Sequence, residues 1–340
     1  MAAEQVLTRA RQIADEVLFP SAMNVDAANQ VPPEHFEALA GAGLFGLAGP
    51  PPAGGAAADL ATFCNVIEIM AGGCLATTFV WLQHHGAVRA LAASANSALV
   101  GEWLAPLCAG DRRAGVALGG VRPGSPLLHA REVPGGYLFG GTAPWVTGWG
   151  MVDVVHTLAR DQAGNVVAAL LPATASASLA ADLLDLAAVN ASRTAELRFT
   201  AHFVPAELVS GVMPLSEWQA RDAAGLRANG SLSLGLAGRC ARLMSLLGAA
   251  TPAVPLQQEL TAARARLDSA DTDSMPAARA AAAELAFRAA GALAVAAGSR
   301  SILVDQHPQR LAREALFLLV FGSRPAIKER LTSMLTAPSW

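Results

Sequence analysis

The chain has 340 residues, 53% of them hydrophobic, 15% charged and 5% aromatic, with a formal net charge of −3. That length and apolar content suit a large core spread over two or three domains, and the slightly acidic balance argues against a nucleic-acid partner. The four cysteines, Cys64, Cys74, Cys108 and Cys240, form no C-x-x-C pair and have no histidine at metal-ligand spacing, which predicts reduced core thiols in a cytosolic (cytoplasmic) chain and no metal centre.

The opening residues carry Glu4, Arg9, Arg11, Asp15 and Glu16 and lack the apolar stretch of a signal peptide. From residue 3 to about residue 109 the pattern is helical: Phe36, Leu39, Ala40 and Gly43 form an apolar stripe, a Gly/Pro loop covers residues 49–55, and a second apolar stretch runs over residues 60–91. The longest uncharged runs, residues 71–88 and 133–152, contain Gln83, His84 and His85 or a series of glycines, so no membrane span is expected. Between residues 113 and 209 the signals become short extended runs, at 116–118, 137–139, 152–159, 166–171 and 197–204. In the last, Leu197, Phe199, Ala201 and Phe203 alternate with Arg198, Thr200 and His202, the pattern of a half-buried strand. From Trp218 onward helical periods return, as in Leu236, Cys240, Leu243, Met244 and Leu247, then Leu311, Ala315, Leu316 and Leu319. The predicted architecture is α+β: an N-terminal helical domain (1–110), a central β-domain (111–210) and a C-terminal helical bundle (211–340).

Residues 135–148 read Gly-Gly-Tyr-Leu-Phe-Gly-Gly-Thr-Ala-Pro-Trp-Val-Thr-Gly, a strand, turn, strand cadence that places Trp145 and Thr147 on one face of an extended segment. An indole packs against a flat ring and a hydroxyl hydrogen-bonds a ring heteroatom, a pairing suited to the edge of an isoalloxazine. By itself the segment also fits a Gly-rich hairpin with a packed core tryptophan.

Here the sequence resembles the acyl-CoA dehydrogenase family, in which a Gly-Tyr, Asn-Gly-x-Lys-x-Trp-Ile-Thr segment lies against the flavin; Gly136-Tyr137, Gly140-Gly141 and Trp145-Val146-Thr147 match it in order and spacing. Further matches follow in register. Residues 31–34 and 42–46 resemble the family's opening, residues 50–55 its Pro-x-x-x-Gly-Gly loop, and Glu68 its helix glutamate. Ser192, Thr194, Glu196 and Leu197 resemble the strand before the Val-Pro-Ala-Glu found at residues 204–207, and Arg313-Glu314-Ala315 resembles the Arg-Asp-Ala of the last helix. The resemblance implies FAD held by a flavin-facing β-domain through Gly119, Ser125, Trp145 and Thr147. It also implies an acyl thioester oxidised at a CH–CH group and Arg227 and Arg324 as contacts for the CoA phosphates. The partners it implies are a small-molecule substrate and other subunits, as a homo-oligomer (dimer or tetramer) or a hetero-oligomer with a homologue.

The departures concern chemistry. Of the family's Thr-Glu-Pro-Gly-x-Gly-Ser-Asp flavin loop only Gly124 and Ser125 survive in residues 119–126, where Pro123 and Gly124 equally suit a plain turn. The family's two positions for its catalytic glutamate correspond to Gly322 and Gly225, so the base is relocated or absent. The nearest replacements are His85, on an apolar helical run that borders the substrate cavity in this family, and Asp222, one turn before Gly225 and also suited to a first-turn helix carboxylate. The Arg-x-x-Phe-Gly motif that reaches a neighbouring subunit's FAD is missing, with Thr251-Pro252-Ala253-Val254-Pro255 at the break, and residues 294–300 replace the Gln-x-x-Gly-Gly-x-Gly motif. Three readings fit: a dehydrogenase-like FAD oxidoreductase, a flavin-dependent monooxygenase or oxidase on the same fold, and a catalytically silent subunit paired with a complete homologue.

Overall fold

The computed structural model describes residues 3–337, apart from the side chains of Asp222, Ala223 and Pro252. Helix α1 (Ala3–Ile13) runs through a π-helical turn (Ala14–Leu18) into α2 (Phe19–Ala27), followed by α3 (Pro33–Gly41), α4 (Leu60–Gly73), α5 (Leu75–Ala92) and α6 (Ser97–Ala109). Local chemistry sets several ends. The Asp59 carboxylate accepts from the Thr62 amide at 2.7 Å and starts α4, while Asn96 caps α6, which stops at left-handed Gly110.

Eight strands follow: β1 (Ala114–Ala117), β2 (Leu128–Val133), β3 (Gly136–Val146), β4 (Val154–Arg160), β5 (Asn165–Pro172), β6 (Leu179–Leu183), β7 (Ala195–Pro205) and β8 (Val209–Pro214). Their order across the sheet is β6-β7-β3-β2-β4-β5-β8, with β1 parallel to β4. Strand β3 passes through Gly140 and Gly141 without turning; its pairing with β7 shifts register between Phe139 and Gly141, and a Cβ on Gly141 would lie 2.1 Å from the Leu127 carbonyl oxygen. The glycines thus absorb a bulge, and the turn comes after Val146. The sequence periodicity does not reveal β2, β6 or β8. Strand β2 is half polar (Leu-His-Ala-Arg-Glu-Val), and β6 and β8 are short strands at the two ends of the sheet order, where neighbours rather than composition decide.

The chain closes with α7 (Leu215–Ala220), α8 (Asp222–Leu246), α9 (Ala250–Ser269), α10 (Met275–Ala297), α11 (His307–Val320) and α12 (Pro325–Thr336). One buried cluster joins α4, α5, α8, α10 and α11. Gly235 of α8 enables that closeness, since a Cβ there would meet the Glu68 carbonyl oxygen of α4 at 2.1 Å. The Glu68 carboxylate is paired with Arg264 of α9. Residues 251–255, where the chain lacks the Arg-x-x-Phe-Gly motif, are helical: α9 begins at Ala250, so both prolines stand within its first two turns. By length and composition the segment Met275–Ile302 is apolar enough to cross a bilayer, but α10 lies among α8, α9, α11 and α12, with Ala282, Ala286, Ala289 and Leu293 in the common core.

In the run 315–321, Ala315 and Leu318 enter the core, Phe317, Val320 and Phe321 turn to a cavity, and Leu316 is exposed.

Candidate functional site

A cavity of about 300 Å³ opens between the β-domain, α5 and the C-terminal helices. Val116, Leu118, Val121, Arg122 and Pro123 line it from β1 and the following loop, and Pro144 and Trp145 from the end of β3. Phe79 and Gln83 of α5, Trp218 of α7, Phe317, and the stretch from Val320 to Arg324 complete most of the wall. Apolar and aromatic walls with a few polar groups are the usual make-up of a small-molecule site.

Trp145 stands out for its backbone. Its φ is +62°, in the left-handed region that a bulky residue seldom adopts, and its indole is 56% exposed on the cavity wall. The register of β3 on β7 shifts between Ala143 and Val146, so a bulge turns the tryptophan out of the sheet. Such strain costs on the order of 1–3 kcal/mol and concentrates at ligand sites. Two neighbours share it: Val189 (φ +52°) and Arg193 (φ +47°) flank the short turn Asn190–Ser192 that leads to Thr194. That turn is tied to the segment after Trp145, where the Gly148 amide donates to the Ser192 carbonyl at 2.9 Å and the Trp149 amide to the Arg193 carbonyl at 3.1 Å.

Thr147 does not share the cavity with Trp145. It is buried, and its hydroxyl lies 3.4 Å from that of Thr194, which lines the cavity in its place. Gly119 is also buried. A Cβ there would lie 2.4 Å from the Thr142 carbonyl oxygen, so its lack of a side chain serves packing against β3 rather than a ligand's approach. Ser125 is exposed on the loop, two residues past the lining Pro123, and is not itself part of the wall. Arg324 does line the cavity, and its guanidinium donates to the Gly322 and Ser323 carbonyls at 3.4 Å.

Arg227 is elsewhere. It is buried in α8, with its guanidinium on Asp268 at 2.6 Å and on the Ser231 hydroxyl at 2.8 Å, so it ties α8 to α9 and is not presented to a CoA phosphate at the cavity. His85 is also misplaced for a base. It is fully buried, edge-on to Phe63, Trp81 and His84, with neither ring nitrogen hydrogen-bonded among the described residues. Burial and the nearby His84 and Arg89 push its pKa well below the usual histidine range. Alternation along α5 explains this: Phe79 and Gln83 share the cavity face one turn apart, and His85 lies on another. The Asp222 side chain lies outside the described residues.

Among the described lining residues the polar side chains are Gln83, Arg122, Thr194, Ser323 and Arg324, and none is a carboxylate, imidazole or thiol that accepts a proton near neutrality. Phe321 and Gly322 are on the wall; Gly225 is exposed on α8 and is not among the lining residues. Sequence reasoning missed Gln83 and Trp218, single residues on helices whose periodicity marks the core face only, and assigned Thr194 to a strand match rather than to the site.

The sequence pattern of the acyl-CoA dehydrogenase N-terminal domain matches residues 2–111. The chain is 29% identical over 154 residues to benzylmalonyl-CoA dehydrogenase of Aromatoleum aromaticum, which covers 44% of this chain and 41% of that protein. It spans about half the length of the curated relatives it matches. Among solved structures, butyryl-CoA dehydrogenase from Megasphaera elsdenii superposes with a TM-score of 0.85 over 98% of both chains at 16% identity. A glutaryl-CoA dehydrogenase from Mycobacterium smegmatis in complex with FADH2 gives 0.82 over 99% of this chain and 95% of that one, at 17% identity. The helical, β and helical order, the sequence pattern over residues 2–111 and these relatives agree: the chain has the fold of the acyl-CoA dehydrogenases, and its first domain matches the N-terminal domain of that family.

Proposed function

We propose that the chain binds FAD in the cavity with the flavin ring against Trp145, and that it is a flavin-dependent oxidoreductase of the acyl-CoA dehydrogenase type acting on an acyl thioester. The observation that carries this reading is Trp145: a strained backbone holds an exposed indole on the wall of an apolar cavity, an arrangement costly to keep unless a flat ring covers it. Both sides of the cavity suit the group, with Thr194 as a hydroxyl beside the indole's strand and Arg122 and Arg324 as cations for phosphate or pyrophosphate oxygens. FAD, when bound, supplies the acceptor for the hydride that leaves the thioester's β-carbon.

Among the described residues, those of the cavity wall bind and orient and none takes the proton. Phe79, Trp218, Phe317 and Phe321 exclude water and pack on an acyl chain, while Gln83 offers a hydrogen bond to its carbonyl. Where the family places its carboxylate this chain has Gly322 on the wall, so α-proton removal lacks its base and is slow by on the order of 10²–10⁴. The same lack favours a second reading, a subunit whose chemistry is completed by a homologous partner. Exposed Val295, Ile302, Val304, Leu316 and Val320 on the C-terminal helices and their linker suit self-association or such a partner.

The test is anaerobic mixing of the FAD-loaded protein with a panel of acyl-CoAs, followed at the flavin absorbance. Slow bleaching supports the first reading. Bleaching that appears only when a homologous subunit is added supports the second. Rapid bleaching abolished by Asp222→Asn overturns the absence of a base and assigns it to that carboxylate. No FAD binding at all overturns both.

A further inference from the structure

Three hydroxyls meet beside the cavity, and their proton count fixes the direction of one of them. The Ser192 hydroxyl lies 2.8 Å from that of Thr194, and the Thr147 hydroxyl lies 3.4 Å from it. Ser192 and Thr147 are both buried, and among the described residues neither hydroxyl has any other hydrogen-bond partner. A hydroxyl carries one proton and accepts twice. A buried donor left without an acceptor is costly, so Ser192 donates to Thr194, and so does Thr147 over its longer contact. Both acceptor positions of Thr194 are then filled. Its own proton has no inward target and must point outward, and Thr194, although only 2% exposed, is the member of the three that lines the cavity.

The backbone keeps the three in place. Left-handed Val189 and Arg193 bracket Ser192, and the Arg193 guanidinium donates to the Trp149 carbonyl at 2.8 Å. The Ser192 carbonyl accepts from Gly148, next to Thr147. A strained, doubly tied turn that delivers one oriented hydroxyl to a cavity is an expensive structure to maintain for packing alone.

We propose that Thr194 is a preoriented hydrogen-bond donor of the cavity, its proton turned outward by Ser192 and Thr147, and that its acceptor is a carbonyl oxygen or ring nitrogen of the bound flavin. The assignment of the acceptor rests on the flavin reading; the direction of the proton does not. Hydroxyls that already accept two hydrogen bonds are polarised and donate more strongly, so Thr194 positions and polarises the ring rather than taking part in bond breaking.

FAD titration of the substrate-free protein tests this with Thr194→Val, Thr194→Ser and the double variant Thr147→Val/Ser192→Ala. Loss of one net hydrogen bond weakens FAD binding about two- to tenfold in Thr194→Val and shifts the absorption maxima of the bound flavin. Thr194→Ser restores both. The double variant, which keeps the donor but frees its direction, falls between them. A folded Thr194→Val with unchanged FAD affinity and spectrum overturns the proposal. So does one in which only the KM for an acyl thioester rises, since the acceptor is then on the substrate. If Thr194→Val does not fold, Ser192→Ala serves, with a smaller shift in the same direction expected and no shift overturning. Should the wild-type protein take no FAD, the flavin reading fails by itself, and a high-resolution crystal structure judges the donor. A cavity water oxygen within about 3 Å of Thr194 Oγ1 supports the outward proton; a Thr194 hydroxyl without any cavity acceptor overturns it.

Discussion

Gly322 stands against Asn229: a Cβ at position 322 would lie 2.9 Å from the Asn229 side-chain nitrogen, and Gly322 has a φ of +61°. The position that the sequence match aligns with the family's carboxylate is thus a left-handed glycine facing the Asn229 amide of α8, half-buried and one turn past Gly225. An amide donates and accepts hydrogen bonds but takes no proton near neutrality.

Gly322→Glu should fold with a loss of about 1–2 kcal/mol from the left-handed backbone, since the nearest obstacle is the mobile end of a side chain. Its carboxylate would have the Asn229 amide as a donor that favours ionisation. Flavin reduction by an acyl-CoA should accelerate by on the order of 10² or more. Gly225→Glu meets nothing within 4 Å and should cost less stability, but its position is not on the cavity wall and it should accelerate reduction less. Equal rates for wild type and Gly322→Glu in stopped flow would remove the missing base as the cause of slowness.

Trp145→Gly separates strain from function. Glycine adopts a φ of +62° freely, so the variant should hold or gain about 1 kcal/mol in denaturant unfolding while FAD binding falls by at least about tenfold through loss of the indole face. Trp145→Ala keeps the strain and loses the ring, and should lose binding with no gain in stability. Unchanged FAD affinity in both variants would return Trp145 to a structural role.

His85→Leu removes two ring nitrogens that have no partner in an aromatic core. Unfolding free energy should rise by about 1–2 kcal/mol with FAD affinity and reduction rate unchanged. A drop in either functional measure at undiminished stability would show that His85 acts on the site.

The buried histidines also set the response to acid. Burial lowers the pKa of His84 to about 3 and of His156 to about 4, whereas in the unfolded chain both titrate near 6.5. The unfolded state therefore takes up protons first as pH falls, and the stability these groups retain above about pH 6.5 is lost toward pH 4. Each should cost roughly 2 kcal/mol by pH 5. Urea midpoints should fall steadily from pH 7 to pH 5, and the slope should flatten in His84→Phe; midpoints independent of pH over that range would contradict the assignment.

Much of this was legible in residue order. The alternation of Leu197, Phe199 and Phe203 marked a strand, and the helical stripes through Leu236 and Leu311 marked the C-terminal bundle, because periodicity records which face is buried. The pairing of Trp145 with Thr147 was only half right. Period two assumes a regular strand, and the bulge between Ala143 and Val146 sends the indole to the cavity while Thr147 goes inward. Arg227 and His85 misled for a related reason: residue type suggests chemistry, but the face of the helix decides whether the group meets a ligand or a neighbour. Thr194 became meaningful only when the fold brought residues 192–194 beside 147–149.

Visible absorbance of the purified protein during titration with FAD decides whether a flavin lies against Trp145. If it does, the protein is yellow, or becomes yellow with saturable, perturbed flavin bands that Trp145→Ala weakens. A colourless protein whose titration adds only the spectrum of free FAD, at protein concentrations of tens of micromolar or higher, would contradict it; roughly 10 µM affinity corresponds to about 7 kcal/mol.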